Sequence, residues 1–416
     1  MRLFLSELRK IWHPAVVAAV LALGVMYYLL MPSFYVVHFP NGPNQQASFD
    51  LATDWAARFG PTMEPEERAQ LDAQLAEEQA EFATWIAAVS EAAEKGIVDY
   101  ATYAAFCDEV DEARGQSASR EGVRGMTYDE ARSFQEQLFY ETNLFTIQEF
   151  EDFLQCYDVR ADIADEVRGE GASALDKYGL AEGLDEAGRA RVAELITGER
   201  GFLPFLVREA TAGYASNLAL WEVLGVVALL APTFVRDRVC RTRQLQWASR
   251  RGRASEGVQL AAGVASAVLL TAVNLVVYGA LFLSRGLLAF ADFPLFGWVE
   301  GGGTWFDVTY GCYLVVLAAL VSVLGVGAAL WMLLLSRVSS GYVSALLKAV
   351  PLFVLLGVIV GVWCLDGTFC IRVVSYAVAS IAPPGIEVVL VAGVCVLGAA
   401  ACAAMLLHDR RCDLAA

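Results

Sequence analysis

Six apolar blocks, each long enough to cross a bilayer, constrain this chain more than any other feature. They run approximately Pro14–Val37, Asn217–Val235, Gly257–Leu283, Tyr310–Leu335, Tyr342–Cys364 and Ile386–Leu407. A helix crossing about 30 Å of hydrocarbon at 1.5 Å per residue needs about 20 mostly apolar residues. These blocks are apolar on every side, with almost no charge inside them, whereas the surface helix of a soluble domain keeps a polar face. In hydrocarbon the backbone must satisfy its own hydrogen bonds, so such blocks read as helices. Composition agrees. Of 416 residues, 57% are hydrophobic, against about 45–50% in a soluble domain even with glycine counted.

Charge is distributed as unevenly as hydropathy. The whole chain carries a formal net charge of -17. Between Asn41 and Asn217 lie roughly 36 carboxylates and 14 basic side chains, a balance near -22. Everything outside that span is therefore mildly basic, about +5. The strongest basic run is FVRDRVCRTRQLQWASRRGR, Phe234–Arg253, in which Asp237 is the one carboxylate.

Lys and Arg in short loops accumulate on the cytoplasmic side of a membrane. Arg2, Arg9 and Lys10 precede the first block, and the Phe234–Arg253 run follows the second. Arg337 lies between the fourth and fifth blocks, and Arg410 and Arg411 follow the sixth. All four sites fall on one side of a six-span topology. The other side receives the acidic region, then Asp292, Glu300 and Asp307, then residues 365–387. The first block is longer than the core of a signal peptide and no small-x-small site follows it, so it reads as a retained anchor. The expected protein is all-α and multi-pass in the cell membrane, with both termini cytoplasmic. Its parts are an interfacial segment (1–13), a first span (14–37), an acidic extracytoplasmic helical domain (38–216) and a second span (217–235). A basic cytoplasmic loop (236–256) follows, then four more spans within 257–407, with outer loops at 284–309 and 365–385, and a cytoplasmic tail (408–416).

The acidic region is long enough to fold as a domain of its own. ERAQLDAQLAEEQAEFATWIAAVSEAAEKG spaces Leu71, Leu75, Phe82, Trp85, Ile86 and Val89 at helical intervals and ends at Gly96. Thr127 and Glu130 form a capping-box pattern that starts a second helix. DEAGRARVAELITGERG reads as a third, closed by glycine. Strand-like alternation is scarce, so a small helical bundle is expected, with an acidic solvated surface. Cys107 with Cys156, and Cys364 with Cys370, fall on the oxidising side and are expected to pair.

Much chemistry is absent. No lysine follows a glycine, so the chain has no Walker A loop. His13, His38 and His408 make no metal pair at helical spacing. DEVDEARG near Asp108 lacks the order of a calcium loop. No G-x-S-x-G elbow is present. Few ionisable residues enter the blocks. Lys348 either lines a polar path or snorkels to the interface, and the second reading is favoured. Glu222 and Glu387 are expected near helix ends, where water is close.

The basic run also carries an order: Phe234, Arg236, Asp237, Thr242, Leu245, Ala248, Ser249, Arg253. It resembles the F-x-R-E…G-T-x-x-x-L…S-T-x-x-x-R pattern after the second span of ABC type-2 exporter permeases, where a cytoplasmic coupling helix docks on a separate ATPase. Arg241 stands where that family commonly has glycine. MRLFLSELRKIW, with Phe4, Leu5, Leu8, Ile11 and Trp12 on one face, resembles the family's elbow helix. Gly367–Pro384, broken by Pro383-Pro384-Gly385, resembles its re-entrant outer hairpin.

The resemblance implies a bacterial membrane permease that is not itself an enzyme. It would bind no cofactor and no nucleic acid, take ATP hydrolysis from a separate ABC ATPase dimer, and pair with a second identical or related permease. It also implies that Phe234, Arg236, Asp237, Arg241, Arg243, Leu245, Trp247, Arg250, Arg251 and Arg253 form the ATPase-coupling surface. Close helix packing is expected at Gly263, Ala267, Gly325 and Gly393. A different reading is a membrane-anchored sensor or immunity protein whose acidic outer domain binds a ligand without transport.

Overall fold

The computed structural model describes residues 2–41, 43–114, 122–180, 184–198, 201–242, 252, 254–296, 304–365 and 385–411. Every regular element among them is helical. In chain order these are α1 (Arg2–Ile11), α2 (Pro14–Leu30), α3 (Ser33–Val37), α4 (Pro43–Phe59), α5 (Pro65–Ile86) and α6 (Ser90–Glu94). Then come α7 (Tyr100–Glu112), α8 (Tyr128–Glu141), α9 (Leu144–Glu170), α10 (Glu186–Ile196), α11 (Phe205–Leu230) and α12 (Pro232–Val239). The last are α13 (Ala254–Leu283), α14 (Tyr310–Val338), α15 (Tyr342–Phe353), its π-helical continuation Val354–Cys364, and α16 (Ile386–Arg411). Two compact units result: Met1–Phe39 with Val207–Leu295 and Gly302–Ala416, and Pro40–Leu206 with Phe296–Gly301.

In the first, apolar unit, five helices are long and apolar enough to cross a membrane. They are Phe205–Val239, Ser255–Leu283, Tyr310–Val338, Tyr342–Val362 and Ile386–His408. A sixth appears only if α1 and α2, which meet at 49°, count together as one bent span. The expected span 14–37 is shorter than its apolar run. The α2 helix ends at Leu30, a turn at Met31–Pro32 follows, and α3 starts afresh. Pro32 has no N–H with which to continue the ladder. The second expected span is longer than read. Its helix begins at Phe205, twelve residues before Asn217, because Arg208 and Glu209 disguise its first turns as soluble sequence.

Small residues set the distances between these helices. At Gly263 a Cβ would meet Leu333 Cδ1 at 2.7 Å, and at Gly327 it would meet Val394 Cγ1 at 2.7 Å. Ala267 is fully buried. Gly393, expected to behave likewise, has open space around it. Three polar groups stitch α16 to α14. Cys395 Sγ donates to Val323 O (3.2 Å), Cys402 Sγ to Leu330 O (3.4 Å), and Trp331 Nε1 to Val394 O (3.1 Å).

The second unit is a helical bundle. The expected helix from Glu67 to Gly96 is two helices. The α5 helix starts with the Glu64–Glu67 capping box and stops at Ile86, and α6 resumes at Ser90. The break turns Val89 into the core. Leu71, Phe82 and Ile86 are buried as their spacing predicts, but Trp85 is 45% exposed and donates to Glu81. The capping box before α8 forms: Thr127 N donates to Glu130 Oε2 at 2.9 Å and Glu130 N to Thr127 Oγ1 at 3.4 Å. The α10 helix starts at its N-cap, Asp185. The longest helix of the bundle, α9, buries Phe150 and Phe153 against Trp55, with ring centroids 5.1 and 4.9 Å apart.

The expected Cys107–Cys156 disulfide is absent, and both thiols are unbridged. They face different surroundings. Cys107, on α7, packs against the core around Phe106 and accepts from Gln135 Nε2 (3.1 Å). Cys156, on α9, lines a cavity. Cys370, the expected partner of Cys364, and the expected re-entrant hairpin lie outside the described residues.

Candidate functional site

The basic run begins where the helix Phe205–Val239 is broken. Pro232 cannot donate, and α11 gives way to α12 at Ala231. The break exposes backbone groups that a continuous helix would pair internally. Ser336, buried on α14, takes them up. Its Oγ accepts from Phe234 N (3.1 Å) and Val235 N (3.4 Å) and donates to Ala231 O (2.9 Å). Phe234 and Val235 are buried beside it.

From that join, α12 meets three other helix ends. Arg238 caps α14 by donating to Arg337 O (2.9 Å) and to Ser339 O, a favourable place for a cation because terminal carbonyls carry partial negative charge. Arg337 itself pairs with Glu256 at the start of α13 (3.3 Å), and both side chains are buried. Asp237 is buried as well. It accepts from Gln259 Nε2 on α13 and from Thr242 Oγ1 (3.3 Å), with Lys10 Nζ at 3.8 Å. Gln259 also donates to Glu7 on α1 (3.2 Å), and Lys10 pairs with Glu7 at 2.8 Å. Arg236 Nη1 donates to the Lys10 carbonyl at 3.5 Å. Further along α1, Trp12 Nε1 donates to Ser266 Oγ (3.0 Å). Buried carboxylates are tolerated here because each has donors around it.

The sequence-predicted residues therefore divide. Phe234 and Asp237 do not present themselves to a partner, because they hold α12 against α1, α13 and α14. Arg236 is drawn in toward α1. Arg241 is exposed and has φ +55°, the left-handed region that favours glycine. Arg243, Leu245, Trp247, Arg250, Arg251 and Arg253 lie outside the described residues. Sequence reading missed Glu7, Glu256, Gln259 and Ser336. Gln259 left one trace, as one of two amides, with Asn274, in an apolar block.

A second polar cluster lies within the apolar unit. Glu222 is fully buried, not at a helix end as expected, since the helix that carries it runs from Phe205 to Val239. Its carboxylate accepts from Thr271 Oγ1 (2.5 Å) and Asn274 Nδ2 (2.7 Å) on α13. Gly325 on α14 leaves room for it: a Cβ there would sit 2.9 Å from both Glu222 Oε1 and Thr271 Oγ1. Lys348 does not join this cluster. It is exposed, and its Nζ reaches back to Val338 O at the end of α14 (3.2 Å), the geometry of a snorkelling lysine.

No group of three or more metal-ligating side chains occurs among the described residues. His13 serves as the N-cap of α2, its Nδ1 accepting from Ala15 N at 3.3 Å. The chain matches no protein-family model, no curated protein and no solved structure.

Proposed function

We propose that the chain is the membrane-embedded permease subunit of an ABC exporter of the type-2 class, driven by a separate ATPase. One observation carries this reading. The segment resembling a coupling helix and the segment resembling an elbow helix are joined through Asp237, Gln259, Glu7 and Lys10. A push on the end of α12 would pass into α1 through that join. It would pass into α13 and α14 through Gln259 and through Arg238 with Ser336. Interfacial helices and buried charge networks can move as a unit because packed cores shift between discrete arrangements.

The positive end of the bundle fits the same reading. On this reading the cations Arg236, Arg238, Arg241 and Arg337 keep this end in the cytoplasm, the acidic helical unit lies outside and both termini inside, and the bent pair α1 and α2 supplies the elbow and the first of six spans. Arg241 takes a left-handed backbone where the resemblance expects glycine, so this turn keeps its geometry with a different residue. The permease works with a second copy or a related chain. Glu222, held by Thr271 and Asn274, is a buried ionisable group at mid-span, the usual mark of a path through a membrane protein.

The test is purification of the full chain in mild detergent, followed by native mass spectrometry. The expected species holds two permeases and two nucleotide-binding chains. A chain that purifies without any nucleotide-binding partner contradicts the reading.

A further inference from the structure

The apolar unit contains a cavity of about 310 Å³ walled by α2, α11 and α13, at the small end of the range for ligand pockets. No Asp, Glu, Lys, Arg or His belongs to its described lining. Leu21 and Val25 on α2, and Val273 and Val277 on α13, border it and are exposed. Its mouth therefore opens on the outside of the helix bundle, where a membrane protein meets hydrocarbon.

Two polar side chains of the lining are enclosed and incompletely bonded. Trp221 is 2% exposed, and its indole N–H has no acceptor among the described residues. The ring is fixed: Tyr27 stacks on its face, with centroids 5.6 Å apart. Gly24, also in the lining, makes room for the ring edge that bears the nitrogen. A Cβ there would meet Cζ2 at 2.9 Å and Cε2, the carbon bonded to Nε1, at 3.6 Å. Asn274 is 6% exposed, and its Nδ2 donates to Glu222 Oε2 at 2.7 Å. A carboxylate only accepts, so the amide turns its nitrogen to Glu222 and its Oδ1 away, and no described hydrogen bond reaches that oxygen. A buried donor or acceptor left unmade costs stability, all the more where hydrocarbon replaces water. One wall thus offers a donor and another an acceptor. A hydroxyl group is both, and no counter-ion is present for a charged head.

We propose that this cavity binds a neutral apolar alcohol drawn from the bilayer. Its hydroxyl oxygen accepts from the Trp221 indole, its hydroxyl hydrogen goes to Asn274 Oδ1, and its apolar body leaves between α2 and α13 past Leu21, Val25 and Val273. The site does not depend on the transport reading, because every group in it belongs to the apolar unit and its test involves no ATPase.

The probe is 1-dodecanol carrying a photoreactive diazirine on its chain. It would be added to the full-length protein in lipid nanodiscs and irradiated, and labelled residues would be mapped by peptide mass spectrometry. Unlabelled 1-dodecanol, its methyl ether and dodecane would compete at equal membrane concentration. The ether keeps the oxygen but has no hydrogen for Asn274 Oδ1. The expected result is labelling concentrated in the stretches 20–28 and 270–281, reduced about fivefold or more by 1-dodecanol and less than about twofold by the ether or dodecane, as the loss of one buried hydrogen bond requires. Trp221→Phe keeps a ring and removes the N–H, and should weaken competition by 1-dodecanol about fivefold. Labelling spread evenly over the exposed faces of α13 and α16 would mean lipid contact only and would overturn the proposal. Equal competition by the ether or by dodecane would overturn it too, as would undiminished competition in Trp221→Phe. The ether comparison needs no variant, so it decides the matter even if Trp221→Phe folds poorly.

Discussion

Replacing Asp237 by alanine should lower the unfolding free energy of the whole chain by about 2 kcal/mol. The figure follows from what the carboxylate holds. Gln259 Nε2 donates to it, Thr242 Oγ1 donates at 3.3 Å, and Lys10 Nζ stands at 3.8 Å. A hydrogen bond to a charged acceptor contributes about 1.5–3 kcal/mol, and the longer Thr242 contact adds less. The loss is partly offset, because Gln259 and Lys10 both keep Glu7 as a partner, at 3.2 and 2.8 Å. Asp237→Asn retains an acceptor for Gln259 but loses the charge, so about 1 kcal/mol is expected. The assay is reversible unfolding in mixed micelles, following tryptophan fluorescence. A double-mutant cycle of Asp237→Ala with Gln259→Leu should show a coupling of about 1–2 kcal/mol. Arg241→Lys, at an exposed position, should stay within about 0.5 kcal/mol of the unaltered protein. If Asp237→Ala is equally neutral and uncoupled to Gln259, then Asp237 is not an internal tie.

Four further outcomes are expected. Arg241→Gly should stabilise the chain by up to about 1 kcal/mol, because its φ of +55° costs a side chain about that much and glycine little; unfolding in the same micelles measures it. Gly325→Ala should destabilise by about 1–3 kcal/mol, since its new Cβ would press on Glu222 and Thr271 at 2.9 Å; a midpoint shift of the same sign should follow Asn274→Leu, which strips a donor from a buried carboxylate. Cys107 and Cys156 should both take up maleimide without prior reduction, as unbridged thiols do; a mass consistent with a bridge between them would contradict the structure. Glu149→Gln should raise the thermal midpoint at neutral pH and lose that advantage as pH falls to about 4.5, the ordinary value for a glutamate. The sign follows from linkage: a carboxyl whose folded pKa is raised binds protons more tightly in the fold, so its ionisation removes stability as pH rises.

Hydropathy made the apolar helices legible and left their ends obscure. Where polar residues sit inside a span, the pattern misleads. Arg208 and Glu209 hid the first turns of the helix that carries Glu222, so a mid-span carboxylate looked like a terminal one. Proline sets other boundaries, at Pro32 and Pro232, and the sequence shows the proline but not which side chain repairs the break. Ser336 does so from a helix about a hundred residues away. The basic run was visible as charge, yet charge alone does not separate Arg241, which is exposed, from Asp237, which is enclosed. That division depends on Gln259 and Glu7, which only tertiary structure brings beside it. In the acidic unit the helix cap at Thr127 was readable because capping is local. The Cys107–Cys156 pairing was not, because spacing says nothing of which way two thiols face.

The central claim is that the end of the bundle formed by α12 and the following arginines couples this chain to an ATPase. ATP turnover by the co-purified complex in lipid nanodiscs tests it most directly, comparing the unaltered chain with Trp247→Ala and Arg241→Lys. Arg241 is exposed, so the stability of Arg241→Lys should stay within about 0.5 kcal/mol. Guanidinium groups make planar, bidentate contacts that an ammonium cannot reproduce, and a few aromatic anchors dominate small interfaces. The account predicts that both variants lose partner ATPase and at least tenfold of the turnover per permease. Full turnover with a normal complement of ATPase in both variants would contradict it.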